Sequence, residues 1–186
     1  KDNRRSKANM ASMNPDLFWS TVNYGFHYQY MHNTLQLNRR IQGDKPFFSN
    51  ISRLSGISST DWSWGPLLAD LDNDGWKDLF ISNGIRREIN HRDFFNDIKL
   101  RPMSSDSLLY YTEQMPSEAI ANFTFQNNSD LTFTDVTESW GLDQKNFSNG
   151  ATYADLDNDG DLELIVNNVD QEAQIYRNNS TNNFIM

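Results

Sequence analysis

The chain has 186 residues, and its 25 acidic and 16 basic side chains give a formal net charge of −9. This acidic balance disfavours nucleic acid and anionic membrane surfaces as partners, because both are recognised largely through Lys and Arg. No apolar run approaches the roughly 20 residues of a membrane span, and no cysteine is present for a disulfide or a thiolate metal site. Aromatic residues make up 13% of the chain, which argues against disorder.

The N-terminal segment, residues 1–33, is rich in aromatic side chains. Asn14 is a good helix cap and Pro15 suits the first helical position, so a helix is predicted to begin there and to run to about Tyr24. Residues 26–37 fit either a helix or a strand. We therefore expect an N-terminal segment that is partly helical.

The remaining sequence repeats itself. Residues 67–75 recur 85 positions later as 152–160, and residues 125–129 resemble 176–180 at an offset of 51. The repeating unit is therefore about 50 residues long, and its first copy carries an insertion. The predicted organisation is an N-terminal segment (1–33), a first unit (34–84), an insertion (85–121), a second unit (122–174) and the start of a third unit (175–186).

The insertion has a different pattern from the units around it. Residues 88–100 are polar with helical spacing, and Pro102 interrupts this pattern. Residues 104–115 predict a second helix that ends before Pro116. We expect a helical insertion.

Short strands are predicted within each repeat unit. Residues 79–81 and 162–166 are apolar and partly β-branched, and residues 123–125 and 133–136 alternate around a turn cluster at 127–130. Four short strands in a unit of about 50 residues are typical of a propeller blade or a related β-repeat. The predicted fold is therefore mostly β, with blades interrupted by the helical insertion.

Each unit also contains an acidic loop in which carboxylates occupy alternate positions. Such a loop turns its oxygens toward a common centre, as a hard cation with roughly six to eight oxygen ligands requires. Gly75 and Gly160 permit the sharp turn. The predicted carboxylate ligands are Asp70, Asp72, Asp74 and Asp78 in the first loop and Asp155, Asp157, Asp159 and Glu163 in the second; the predicted carbonyl ligands are those of Trp76 and Asp161.

These loops differ from the loop of an EF-hand. Position twelve, where an EF-hand has a bidentate Glu, is occupied by Ile81 and Val166 in predicted strands, so each loop is expected to join two strands. The loops contain no His or Cys, which disfavours zinc and copper, and calcium is favoured over magnesium. The alternative is a solvated acidic turn without metal. The duplication favours two calcium sites, because crowded carboxylates repel unless a cation offsets them.

Two further groups of residues carry possible functions. Trp62 and Trp64 alternate on a predicted strand, so they would share a face that stacks on a sugar ring or packs between blades, with packing favoured. Asp93 and Asp97 would support catalysis only if they converged on a pocket. No nucleophile elbow, phosphate loop or His-Glu-x-x-His motif occurs, so we expect no enzyme activity.

The sequence Leu-Ala-Asp-Leu-Asp-Asn-Asp-Gly-Trp-Lys-Asp-Leu at residues 68–79 resembles the FG-GAP/VCBS repeat. Residues 61–65, 131–137 and 175–179 carry the same resemblance, which covers residues 34–186 apart from the insertion. It implies an integrin-α-type β-propeller, commonly seven-bladed, with calcium held by the acidic loops. Glu163 replaces the usual Asp.

The resemblance extends to secreted bacterial VCBS-repeat proteins related to cartilage acidic protein and associated with ASPIC/UnbV domains. It implies an extracytoplasmic location, whether secreted, periplasmic or anchored at the outer surface, and a protein or glycan ligand. Two units cannot close a seven-bladed ring, so the remaining blades of a parent protein are expected partners. The alternative is an accessory part of a polysaccharide-processing enzyme whose catalytic residues lie elsewhere in that parent chain.

Overall fold

In the computed structural model, residues 15–28, 32–42, 45–89, 91–101 and 104–182 are described. The described chain is mostly β, with several antiparallel sheets and three helices, and none of the sheets closes on itself. It divides into two compact units, Lys1–Met31 with Ile85–Glu118, and His32–Gly84 with Ala119–Met186. No helix in these ranges is both long and apolar enough to cross a membrane.

The first compact unit contains the three helices. They are α1 (Pro15–Asn23), α2 (Arg92–Lys99) and α3 (Ser105–Glu113). The His91 side chain caps α2 by accepting a hydrogen bond from the Phe94 N–H at 3.2 Å, and the Ser104 hydroxyl caps α3. The predicted helices of the N-terminal segment and the insertion are confirmed, whereas the predicted cap Asn14 and the break at Pro102 lie outside the described residues.

The second compact unit contains the strands. In chain order they are β1 (Gln36–Gln42), β2 (Lys45–Asn50), β3 (Ser63–Ala69), β4 (Asp78–Asn83), β5 (Ile120–Ala121), β6 (Phe123–Asn127), β7 (Phe133–Asp135), β8 (Lys145–Asn146), β9 (Ser148–Ala154), β10 (Glu163–Asn168) and β11 (Gln174–Tyr176). Two sheets contain most of them, in the orders β3-β4-β6-β7 and β11-β10-β9, and the pairs β1-β2 and β5-β8 form two smaller sheets.

The boundaries of the sheets do not coincide with the boundaries of the sequence repeats. The four-stranded sheet takes β3 and β4 from the first repeat unit and β6 and β7 from the second. Residues 85–118 therefore lie, along the chain, between two strands that pair with each other. A sequence repeat has no fixed starting point, so the hydrogen bonds between strands decide which of them share a sheet.

Strand β4 is buried throughout its length and separates two apolar clusters. Phe80 belongs to a cluster with Leu71, Leu164 and Val166, which joins the four-stranded sheet to the three-stranded sheet. On the opposite face, Leu79 and Ile81 pack in a second cluster with Ile57 and Phe125. Successive side chains of a β-strand point to opposite faces of the sheet, so Phe80 lies on one face and Leu79 and Ile81 lie on the other. The first cluster fixes the hairpin containing β3 and β4 against the hairpin containing β9 and β10.

Candidate metal centre

Both acidic loops connect antiparallel strands. The first loop (residues 70–78) joins β3 to β4, and the second loop (residues 155–163) joins β9 to β10. The prediction that each loop links two strands of a hairpin is confirmed. The acidic side chains therefore lie at the turns of two β-hairpins.

The two loops have the same backbone conformation. Asn73 and Asn158 adopt left-handed φ values of 56° and 61°, and Gly75 and Gly160 have φ values of 91° and 96°. Asn tolerates the left-handed region, and Gly adopts positive φ without the steric penalty of a Cβ. The sequence duplication is thus a duplication of loop geometry as well.

The first carboxylate of each loop stabilises the turn that follows it. Asp70 accepts hydrogen bonds from the Asp74 N–H at 3.1 Å and the Gly75 N–H at 2.9 Å. Asp155 accepts one from the Gly160 N–H at 3.1 Å. These bonds hold each loop closed, with the carboxylate turned inward.

Three carboxylates converge in each loop. Each residue of a group offers one oxygen, and the oxygens of the group lie within 4.8 Å of one another. The groups are Asp70, Asp72 and Asp78, and Asp155, Asp157 and Glu163. The structure thus brings together three of the four predicted carboxylates in each loop.

The fourth carboxylate of each loop is not in these groups. Asp74 accepts a hydrogen bond from the Trp76 N–H at 2.7 Å, and Asp159 accepts one from the Asp161 N–H at 3.0 Å. The Asp161 side chain accepts a hydrogen bond from the Asn73 side chain, so it links the two loops. The Trp76 side chain is largely exposed.

The last carboxylate of each loop is deeply buried. Asp78 and Glu163 are 0% and 3% exposed. Each accepts a hydrogen bond from the N–H seven residues earlier, that of Leu71 at 3.0 Å or that of Leu156 at 2.8 Å. Burial raises the pKa of Asp78 to about 6, although its backbone hydrogen bonds oppose the shift. An ionised Asp78 is therefore costly unless a positive charge lies nearby.

Two asparagines that sequence reasoning missed support these carboxylates in the same way. The Asn127 N–H donates to Asp78 at 3.0 Å, and the Asn178 N–H donates to Glu163 at 3.3 Å. Their side-chain amides donate to the carbonyls of Lys77 and Leu162, at 3.0 and 3.3 Å. The available signal was the offset of 51, which aligns the two asparagines without assigning them a role.

The residue before each asparagine contacts the central aspartate of a loop. Gln126 Nε2 donates to Asp72 Oδ2 at 2.7 Å, and Arg177 Nη2 lies 3.0 Å from Asp157 Oδ2. Neither residue was predicted to be part of the site. Both contacts arise because β6 pairs with β4 and β11 pairs with β10.

Asp72 provides an observation that fits a bound cation. Its Oδ1 atom is buried and has no hydrogen-bond partner among the residues that the structure describes. Burial raises the pKa of Asp72, and the neighbouring carboxylates of Asp74 and Asp70 add to the shift. A buried oxygen without a donor is destabilising. Together with a donor set made only of oxygens, this fits a hard cation.

The other candidate residues lie outside these clusters. The Trp62 and Trp64 rings are 6.3 Å apart and tilted by 51°. Only Trp64 lies on a strand, because β3 begins at Ser63, so the prediction of a strand containing both residues is wrong for Trp62. Trp64 is 47% exposed, and its Nε1 donates to the Gly84 carbonyl at 2.6 Å. On α2, Asp97 forms an exposed ion pair with Arg101, and Asp93 is an exposed residue of the first turn.

Comparison with known proteins adds no relative. No family model matches the chain, and no curated protein matches it. The resemblance to FG-GAP/VCBS repeats therefore depends on the residues quoted from the sequence.

Proposed function

We propose that the chain is a calcium-stabilised, non-catalytic segment of an integrin-α-type β-propeller built from FG-GAP/VCBS repeats. One observation carries the proposal. Two hairpin loops with the same backbone conformation each gather three carboxylates whose oxygens lie within 4.8 Å. A bound cation would offset the repulsion among carboxylates that converge in this way in both loops.

The chemistry of the donors favours calcium. Asp70, Asp72 and Asp78 would hold the cation in the first loop, and Asp155, Asp157 and Glu163 would hold it in the second. Calcium accepts carboxylates, carbonyls and water in a flexible arrangement, whereas magnesium demands nearly ideal octahedral geometry. The carbonyls of Trp76 and Asp161, which the sequence predicts as ligands, would complete the set.

A cation at these positions would strengthen the hairpins. Two carboxylates about 4 Å apart repel by about 4 kcal/mol at an effective dielectric of about 20. A cation offsets this repulsion and favours the ionised form of the buried Asp78. Because an assembled site exists only in the folded chain, the cation adds its binding free energy to folding.

The arrangement of the sheets supports the propeller part of the proposal. Strands β3, β4, β6 and β7 form a four-stranded antiparallel sheet in chain order, with β5 set aside in another sheet, and a propeller blade is likewise a four-stranded sheet. Strands β9, β10 and β11 also pair in chain order, as the first three strands of the four-stranded sheet do. The two sheets share an apolar cluster, as adjacent blades would. The remaining blades of a parent protein would complete the ring.

We further propose an extracytoplasmic location and a role as a scaffold for a protein or glycan ligand. Calcium sites of extracellular modules operate at high calcium concentrations and tolerate exposed ligands, such as Asp155 and Asp157. The Trp62–Trp64 pair is a candidate surface for a sugar ring, because aromatic faces stack on apolar faces of ligands. Loss of glycan-array binding in Trp64→Ala, but not in the control Trp19→Ala, would support this role.

The calcium proposal is tested by thermal unfolding of the chelator-stripped chain, with calcium or magnesium added back. We expect calcium to raise the melting temperature more than magnesium does, with about 2.7 kcal/mol of added stability at a concentration 100 times the dissociation constant. Asp72→Ala should reduce the shift, and Asp143→Ala, which removes one negative charge outside both loops, should preserve it. If calcium shifted neither the natural chain nor Asp143→Ala, the proposal would be wrong.

A further inference from the structure

The hairpin of β1 and β2 has the same hydrogen-bonding pattern as the hairpin of β6 and β7. The Ile51 N–H donates to the Leu35 carbonyl at 2.8 Å, and the Val136 N–H donates to the Thr124 carbonyl at 2.9 Å. From these bonds onward the two hairpins pair residue for residue over the next three positions. Strand β1 is therefore the counterpart of β6, and β2 is the counterpart of β7.

The same asparagine turn occurs three times along the chain. The Oδ1 atoms of Asn127 and Asn178 each accept a hydrogen bond from the N–H two residues later, at 2.9 and 3.0 Å, and that of Asn38 does so at 2.8 Å. The backbone N–H groups of Asn127 and Asn178 also hold the last carboxylate of an acidic loop. Asn38 is a third asparagine of this kind, but among the described residues no hydrogen bond joins it to an acidic loop.

The difference lies in the strand on the other side. β6 pairs with β4 and β11 pairs with β10, whereas β1 pairs only with β2 among the described residues. Because the Leu35 carbonyl accepts from β2, the alternation of antiparallel pairing turns the backbone groups of Gln36 and Asn38 to the opposite edge of β1. This edge is unpaired at the position where β6 and β11 each pair with a hairpin.

An uncovered apolar surface lies on β3. Leu68 is opposite Leu79 in the pairing of β3 with β4, so their side chains share one face of the sheet with Ile81. Leu35, directly before β1, packs on this face, where Leu79 and Ile81 are buried but Leu68 is 44% exposed. On the other face of β3, Ala69 is 2% exposed because the hairpin of β9 and β10 packs there. A hairpin paired with the free edge of β1 would cover Leu68 in the same way.

We infer that the free edge of β1 and the Leu68 face of β3 form a docking site for a β-hairpin with alternating apolar residues and an acidic turn. The hairpins that pair with β6 and β11 are of this kind. Residues 39–45 contain three basic side chains and one acidic one, so the turn after Asn38 has the opposite charge to such a loop. The inference rests on the propeller part of the proposed function and names the element that a neighbouring blade would supply.

The hairpins of a second copy of the chain do not suit this site. β4 is paired on both edges, with β3 and β6, and β10 is paired on both edges, with β9 and β11. Either hairpin would have to give up its present partner before it could pair with β1. The occupant is therefore a hairpin from outside residues 32–182 whose second strand has a free edge.

The test uses the full chain in excess calcium and a synthetic peptide with the sequence of residues 62–84. Cysteines added at its two ends close the peptide into a hairpin, because a pre-formed ligand loses less entropy on binding. At millimolar peptide, nuclear magnetic resonance should show slower amide hydrogen exchange at Gln36 and Asn38 of the chain.

Two matched variants of the full chain locate the contact. Leu68→Asn should weaken peptide binding roughly tenfold, because it removes apolar surface that the hairpin would bury. Ile175→Asn should leave the affinity unchanged. Ile175 is 64% exposed on β11, whose outer edge is also unpaired among the described residues, so it controls for peptide binding at another strand edge.

Two results would overturn the inference. One is slower exchange at Gln174–Tyr176 with binding lost in Ile175→Asn, since the peptide would then add to β11. The other is no binding at millimolar peptide, in which case the basic residues after Asn38 would serve only to protect an exposed edge strand from aggregation. The calcium-dependent rise in melting temperature is measured on the same samples. Its absence despite docking would contradict the calcium proposal alone, and its presence without docking would contradict the inference alone.

Discussion

The hydroxyl of Ser180 donates a hydrogen bond to the backbone carbonyl of Asp72 at 2.7 Å. The side-chain amide of Asn182 donates to the same carbonyl at 2.8 Å, and that of Asn178 donates to the Leu71 carbonyl at 2.7 Å. A segment that follows the second loop in sequence therefore holds the backbone of the first loop. Residues 178–182 are therefore part of the structural support of the first loop.

Removal of the Asn178 side chain should destabilise both loops. Its amide donates to the carbonyls of Leu71 and Leu162, one within each loop. Loss of these hydrogen bonds from partly buried groups should reduce the free energy of unfolding by about 1–3 kcal/mol in Asn178→Ala, measured by urea denaturation. Asn179→Ala is the control, because among the described residues the exposed Asn179 side chain donates to the Arg177 carbonyl alone, at 3.5 Å. Equal losses in the two variants would contradict the prediction.

Neutralising Asp72 should have opposite effects without and with calcium. In the chelator-stripped chain, Asp72→Asn removes repulsion from Asp70 and Asp74 and should raise the free energy of unfolding by roughly 1–4 kcal/mol, the range for two charges about 4 Å apart between bulk water and an effective dielectric of about 20. With calcium, the same variant should lose most of the stabilisation that the natural chain shows. Chemical denaturation under both conditions measures the two effects, and a variant with unchanged calcium response would argue against Asp72 as a ligand.

The stability of the cation-free chain should fall as pH rises from about 4 to about 6. Burial raises the pKa of Asp78 from 3.8 to about 6, so between these values the carboxyl is protonated in the folded chain and ionised in the unfolded chain. Unfolding then releases a proton, so higher pH favours the unfolded state. Above about pH 6, the free energy of unfolding should be lower by up to about 3 kcal/mol than it is below about pH 4.

Calcium should reverse this slope, because it binds the ionised carboxylate and competes with the proton. Urea denaturation at about pH 4.5 and about pH 6.5, with chelator and with excess calcium, compares the two cases. Parallel pH dependences in chelator and in calcium would show that Asp78 does not couple to the cation.

The apolar cluster between the sheets should dominate the stability of the second compact unit. Leu164 is 4% exposed and belongs to the cluster that joins the two hairpins. Leu164→Ala should cost about 2–5 kcal/mol, since it removes buried apolar surface and leaves a cavity. Leu156, which is 56% exposed, provides the matched control, and Leu156→Ala should change the unfolding free energy by less than about 0.5 kcal/mol.

Local patterns in the sequence were enough to predict the hairpin loops. The alternating carboxylates and the glycine at position six specify a turn, and the apolar runs at β4 and β10 specify the strand that follows. Turns and short strands of this kind are determined by residues that are close in sequence. This is why both loops, the strands that flank them and the three helices could be predicted before any tertiary contact was known.

The contacts around the loops depend on which strands pair. The pairing of β4 with β6 spans the insertion, and no local signal indicates it. Gln126 and Arg177 reach their aspartates only because of such pairings, so both were missed as parts of the site. The repeat at an offset of 51 contained this information, but an alignment does not tell which carboxylate an aligned residue contacts.

The position of the helical insertion has a consequence for how the fold can vary. β4 ends at Asn83 and β6 begins at Phe123, so their pairing closes a connection of about 40 residues. The entropy lost on closing such a connection grows logarithmically with its length, and doubling it costs only about 0.6 kcal/mol. Sequence separation slows folding more than it reduces stability. The junction between β4 and β6 is therefore a point at which an added domain would delay the formation of the sheet far more than it would weaken it.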